Sequence, residues 1–158
     1  MSGKGEGMET PVPVRVKGVY IAEHTGSHPA PVVLLEDEQA RLVPIFVGLA
    51  EAISIYHALM GELSARPMTH DLFISVLESV GASITRVLID ELEGGIYYAR
   101  LSVLGDSKQS EIDARPSDCL ALALRVKAPI EVREKVISAS SIDRSDAERL
   151  IGIDKFLE

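Results

Sequence analysis

The stretch SITRVLIDELEGGIYYARLSVLGDSKQSEIDA, residues 83–114, decides the class of fold. Apolar and polar side chains alternate through residues 83–90, 96–104 and 109–114, the period of a half-buried strand. Glu93-Gly94-Gly95 separates the first two runs and Gly105-Asp106-Ser107 the last two, and both are sequences that reverse a chain within a few residues. Consecutive strands joined by tight turns become antiparallel neighbours. The expectation is therefore an α+β domain with an antiparallel or mixed sheet, not a doubly wound α/β unit. Within the central run Tyr97, Ala99, Leu101 and Val103 share one face.

Upstream, Val12, Val14 and Val16 alternate with polar positions, and at Gly18 the apolar parity shifts to Val19 and Ile21, which predicts a bulged strand over 11–22. Residues 32–35 and 42–47 read as two more strands, joined by the turn-like Glu36-Asp37-Glu38-Gln39. From Leu49 the spacing becomes helical, with Ile53, Tyr56 and Met60 at three- and four-residue steps and Gly61 as the stop. A second helix has Thr69 as its N-cap, one apolar stripe of Leu72, Phe73, Val76, Leu77 and Val80, and Gly81 just past its end. Downstream, a third helix begins at Pro116, suited to a first helical position, and ends before Pro129. Residues 129–132 form a short strand, and a Ser-rich turn leads to a C-terminal helix with Ala147, Leu150, Ile151 and Ile153 as its apolar surface. The expected plan is a flexible lead over 1–10, a domain over 11–137 and a helical appendage over 138–158, with about three core helices.

The 158 residues are 46% apolar and 25% charged, enough to bury a sizeable core in one domain. The formal net charge of −8 argues against a binder that neutralises long runs of phosphate with a basic stripe. It leaves room for an enzyme that holds one or two phosphates through a local arginine cluster or a bridging metal. The single cysteine, Cys119, excludes an intrachain disulfide and lies in an apolar run, so it reads as a small buried hydrophobe. No apolar run reaches the roughly 18 residues of a membrane span, and the first nine residues lack a signal-type apolar core. A cytoplasmic protein is expected.

Two constellations carry candidate chemistry. Arg66-Pro67-Met68-Thr69-His70-Asp71 places a hydroxyl, an imidazole and a carboxylate in the first turn of a helix, behind an arginine. Glu111-Ile112-Asp113-Ala114-Arg115-Pro116-Ser117-Asp118 repeats the theme at a strand-to-helix turn, with Glu111 and Asp113 pointing the same way. In one reading these are caps: Thr69 satisfies an orphan N–H, Asp71 and Asp118 complement helix N-termini, and Arg66 pairs with Asp71. In the other, two helix starts, each with Arg, Pro, hydroxyl and Asp, converge on one anion. Arg66, Thr69, Arg115 and Ser117 would then hold phosphate, and His70 would move protons. Asp71, Asp113 and Asp118 would bind Mg²⁺ or Mn²⁺, hard cations that prefer oxygen ligands. His24 and His28 read as solvated loop residues, and the six-residue spacing of Glu51 and His57 is poor for a shared helical face.

At these residues the sequence resembles the bifunctional nuclease family. The resemblance rests on Pro44-Ile45-Phe46-Val47-Gly48 with Glu51-Ala52, on Arg66-Pro67-Met68-Thr69-His70-Asp71-Leu72, and on Tyr97-Tyr98-Ala99-Arg100-Leu101. It rests most on the long run from Asp113 through Arg115-Pro116-Ser117-Asp118-Cys119 to Arg125, followed by Ala128-Pro129-Ile130. It covers residues 11–137. The resemblance implies an α+β domain, a homo-oligomer (a dimer as first guess), and cleavage of both DNA and RNA. For such cleavage the two constellations themselves offer His70, Asp71, Asp113 and Asp118 as the catalytic set, with Mg²⁺ or Mn²⁺ on the carboxylates. The alternative from another class is a non-catalytic ligand-binding or regulatory oligomeric module built on the same motifs.

Overall fold

The computed structural model describes residues 7–23 and 29–157. Strands β1 (Pro11–Ala22), β2 (Ala30–Asp37) and β3 (Leu42–Phe46) come first, followed by helices α1 (Leu49–Met60) and α2 (Thr69–Ser79). Strands β4 (Ser83–Glu93), β5 (Ile96–Gly105) and β6 (Lys108–Ala114) then lead into α3 (Pro116–Val126), β7 (Ile130–Arg133) and α4 (Glu134–Ser140). The sheet order is β3-β2-β1-β7-β4-β5-β6. β4 and β7 run parallel and the other pairs antiparallel, so the sheet is mixed and the class is α+β.

The local signals act as their chemistry requires. Gly94 and Gly95 take φ of 57° and 80°, the left-handed conformation a two-residue hairpin turn needs. Asp106 and Ser107 do the same at 48° and 61°, in a turn without glycine. The register of β1 on β2 slips between Val16 and Gly18, the expected bulge. Ala99, Leu101 and Val103 are buried with Val87 and Ile89 of β4.

β7 joins the two halves. It lies between β1 of the β1–β3 meander and β4 of the β4–β6 meander. Over this junction α1 packs on β1 and β2, α3 packs on β4 and β5, and the two helices pack on each other. α3 is the most buried helix, with Cys119, Leu120, Ala121 and Ala123 sealed in the core. Its position brings the start of α3 beside α1 and α2.

Three local expectations need correction. Met68, not Thr69, is the N-cap of α2, and its N–H is capped by the Asp71 carboxylate at 2.9 Å. Thr69 already stands at the first helical position, while Met68 holds the extended backbone of a cap. Arg66 does not pair with Asp71, because Arg125 of α3 takes that carboxylate at 2.7 Å. The apolar stripe of α2 stays largely open, since Leu72, Phe73, Val76 and Val80 are 57, 43, 53 and 67% exposed. Only Ile74 and Leu77 of this helix pack against the core cluster.

The tail carries helical turns at α5 (Arg144–Ala147) and α6 (Asp154–Leu157), with β8 (Ile151–Gly152) between them, pairing with Tyr20 and Ile21 of β1. Ile153 is buried there, and α4 runs across the 137–138 boundary drawn from sequence. His24 and His28 lie outside the described residues. No helix among the described residues is long and apolar enough to cross a membrane.

Candidate active site

The two arginine-proline corners meet. Residues from both line one cleft of about 230 Å³, with Met68, Thr69 and His70 on the first side, Arg115 and Asp118 on the second, and Glu51 and Ser54 of α1 as its third wall. Pro116 occupies the first position of α3, which places Asp118 one step short of a full turn inside the helix and facing its neighbour. From the other corner, His70 reaches across at the second position of α2, and its Nε2 lies 2.9 Å from Asp118 Oδ1. Arg115 grips the same carboxylate with Nε at 2.9 Å and Nη2 at 3.1 Å, and its Nη1 lies 3.4 Å from Glu51. On the far side of the imidazole, Nδ1 lies 2.6 Å from Ser54 Oγ.

These contacts set the charge state. Burial alone would raise the Asp118 carboxyl, but hydrogen bonds from Arg115 and His70 outweigh it and hold the group below the usual carboxylate range. Arg125, donating to Asp71, holds that carboxyl down as well, helped by the Met68 N–H. Arg125 also donates to the carbonyl oxygen of Ala121 at 2.8 Å and to Ser54 Oγ at 3.1 Å, so it ties α2, α1 and α3 together under the cleft. Cys119 points away into the core, where burial pushes its thiol up to about 12, as befits a packing residue.

Other sequence candidates lie elsewhere. Asp113 and Glu111 do point the same way, into a separate acidic hollow with Asp90, Glu91 and Arg100. Ser117 is buried and lines a groove beside Phe46 and Tyr97, with Arg115 on the rim between that groove and the cleft. Arg66 stands in the exposed segment before α2 and does not line the cleft. Asp71, Asp113 and Asp118 therefore do not gather around one point, and two of them are already held by arginines. Among the described residues no group of three or more His, Cys, Asp or Glu side chains is arranged to hold a metal ion. The carboxylates named from sequence do not fit a divalent-cation site.

Residues 32–145 match the bifunctional nuclease domain. The chain belongs to that family. The bifunctional nuclease match takes in every residue of the cleft. An uncharacterized protein of Mycobacterium tuberculosis is 36% identical over 139 residues, covering 85% of this chain and 81% of its own length. A rice protein named bifunctional nuclease 1 is 27% identical over 135 residues, 82% of this chain and 41% of the plant protein. An Arabidopsis thaliana protein of the same name is 29% identical over 110 residues, 68% of this chain and 34% of its own length. This chain thus spans less than half the length of either plant relative.

Sequence reasoning missed Ser54 in the cleft and Arg125 beneath it, and set Glu51 aside. A signal existed for each. Glu51 and Ser54 are three apart on α1, and Asp118 and Arg125 are seven apart on α3, spacings that put each pair on one face.

Proposed function

We propose that the chain hydrolyses phosphodiester bonds of DNA and RNA in the cleft between the starts of α2 and α3. The carrying observation is His70 of one corner bound to Asp118 of the other, in an open cleft with Arg115 at its rim. An imidazole oriented by a carboxylate can serve as a general acid or base. Arg115 is 64% exposed and presents a guanidinium to whatever enters, and its planar fork suits a phosphate. The N–H groups of the first turn of α2 add partial positive charge on the opposite wall. The acidic total charge of −8 confines attraction to this local patch, so binding should rest on one or two phosphates. Among the described residues no three His, Cys, Asp or Glu side chains group to hold the Mg²⁺ or Mn²⁺ of the sequence reading, and no step is routed through it.

The test is cleavage of a DNA and an RNA oligonucleotide by purified protein, with and without EDTA, beside His70→Ala and Asp118→Ala made in parallel to exclude contaminating nuclease. His70→Ala should lose about 10²- to 10⁴-fold, the usual share of a general acid or base. Undiminished rates in both variants would remove the assignment.

A second reading, a ligand-binding or regulatory oligomeric module without turnover, is favoured by the bare apolar stripe of α2. Large apolar patches on a surface mark contact sites. A second copy of the chain is the natural occupant if the homo-oligomer implied by the family holds. In that case Phe73→Lys should yield a monomer in sedimentation while leaving the cleft intact, and a monomeric parent protein would end that reading.

A further inference from the structure

We propose that Ser54 is the nucleophile of this cleft, activated by a Ser54–His70–Asp118 relay. The substrate class rests on the nuclease reading above; the relay rests on the geometry alone.

Hydrogen-bond direction fixes the roles. Asp118 is held ionised by Arg115, and an ionised carboxylate only accepts. His70 Nε2, 2.9 Å away, must therefore carry the ring proton. In the neutral imidazole, the form a general base needs, Nδ1 is left with a lone pair, and the Ser54 hydroxyl at 2.6 Å donates its proton to it. This is the logic of a nucleophile, a base and an orienting acid, with the two ring nitrogens exchanged relative to the serine-protease arrangement. A serine hydroxyl has no useful nucleophilicity without such a base.

Two further contacts belong to the same design. Arg125 Nη2 donates to Ser54 Oγ at 3.1 Å, placing a guanidinium where negative charge grows as the hydroxyl proton leaves. Arg125 is only 12% exposed and is anchored by Asp71, so this cation is preorganised. Ser54 itself lines the cleft, within the same walls as Arg115 and Thr69.

With a phosphodiester bound, Ser54 Oγ bonds to phosphorus and its proton passes to His70 Nδ1. The bond from phosphorus to the departing sugar oxygen breaks, and that oxygen takes a proton from solvent. In the second half water attacks phosphorus and the Oγ–P bond breaks. Ser54 then recovers the proton stored on His70, while the water's proton returns to solvent. The sum is one diester plus one water giving one alcohol and one monoester. No 2′-hydroxyl takes part, so a single site serves DNA and RNA alike.

The experiment treats the full chain with a fluorophosphonate, which phosphonylates activated serines, and maps the adduct by peptide mass spectrometry. Cleavage of matched DNA and RNA oligonucleotides is followed in parallel. Ser54 should label ahead of every other serine, and labelling should fall by about 10²-fold or more in His70→Ala, the scale of a lost general base. Ser54→Ala should abolish both cleavages together, and Ser54→Cys should keep a thiol that alkylates faster than Cys119. If Ser54 takes no label while the protein cleaves, the proposal is overturned, whether or not Ser54→Ala is slow or folds poorly. If Ser54 labels and neither nucleic acid is cut, the nucleophile stands and the nuclease reading falls.

Discussion

The two arginine-proline corners are written almost alike, and the fold uses them differently. At the second corner Arg115 turns back on Asp118, three residues on, and the pair stays at the cleft. At the first, Arg66 remains out on the exposed segment, while Asp71 is claimed by Arg125 from another helix. The first corner contributes His70 and a helix start; the second contributes the cation and the carboxylate that orients that histidine. One half-site supplies chemistry and the other supplies charge. Similar dipeptides therefore do not imply similar duties, because a carboxylate pairs with whichever arginine the packing brings nearest.

The comparison breaks most visibly at Arg115. Arg115→Ala removes the arginine that lines the cleft among the described residues, and it leaves the Asp118 carboxylate to His70 without its guanidinium partner. Cleavage of DNA and RNA should fall by about 10²- to 10³-fold, on the scale of losing one preorganised donor to a charged transition state. Initial rates at saturating and limiting oligonucleotide measure it. A rate unchanged in both regimes would mean the second corner is a cap and nothing more.

Asp71→Ala probes the other corner and should act on stability. The substitution deletes the cap on the Met68 N–H and leaves Arg125 with carbonyl and hydroxyl partners but no counter-charge. A loss of about 1–3 kcal/mol in denaturant unfolding is expected, the cost of hydrogen bonds to a charged group. The pH profile gives the sign. The folded Asp71 carboxyl lies below its ordinary value of 3.8, so its contribution is complete above that pH and disappears as pH falls through the folded value. The variant should therefore lose less stability than the parent on acidification below about pH 4. Parallel acid profiles would show that Arg125 does not hold Asp71 in solution.

What could be read in the sequence follows physical range. The hairpins at Gly94-Gly95 and at Asp106-Ser107, the bulge at Gly18 and the start of α3 at Pro116 are local events, fixed by residues within a turn of one another. The meeting of His70 with Asp118, 48 positions apart, was legible only as a guess from repeated chemistry. Arg125 with Asp71 and Ser54 with His70 depend on how α1, α2 and α3 pack, which no spacing along one helix reports. The stripe on α2 shows the same limit. Periodicity declares Leu72, Phe73, Val76 and Val80 to be one face, but what covers that face is not a property of the helix. The β8 strand escaped for the opposite reason: two residues, Ile151 and Gly152, are too few to display any period.

Arg66 offers the smallest effect and the sharpest contrast. It is exposed, and among the described residues it forms no ion pair, since the carboxylate four residues after its proline belongs to Arg125. Arg66→Ala should change unfolding free energy by less than about 0.5 kcal/mol, the range of surface substitutions away from special features. Its effect on cleavage should be confined to weaker capture of substrate. A distant cation attracts phosphate before contact, so KM should rise modestly, more at low salt than at high, with kcat unmoved. If kcat fell as far as it does for Arg115→Ala, the two corners would be equal partners around the phosphate, and the division of labour drawn from their geometry would be wrong.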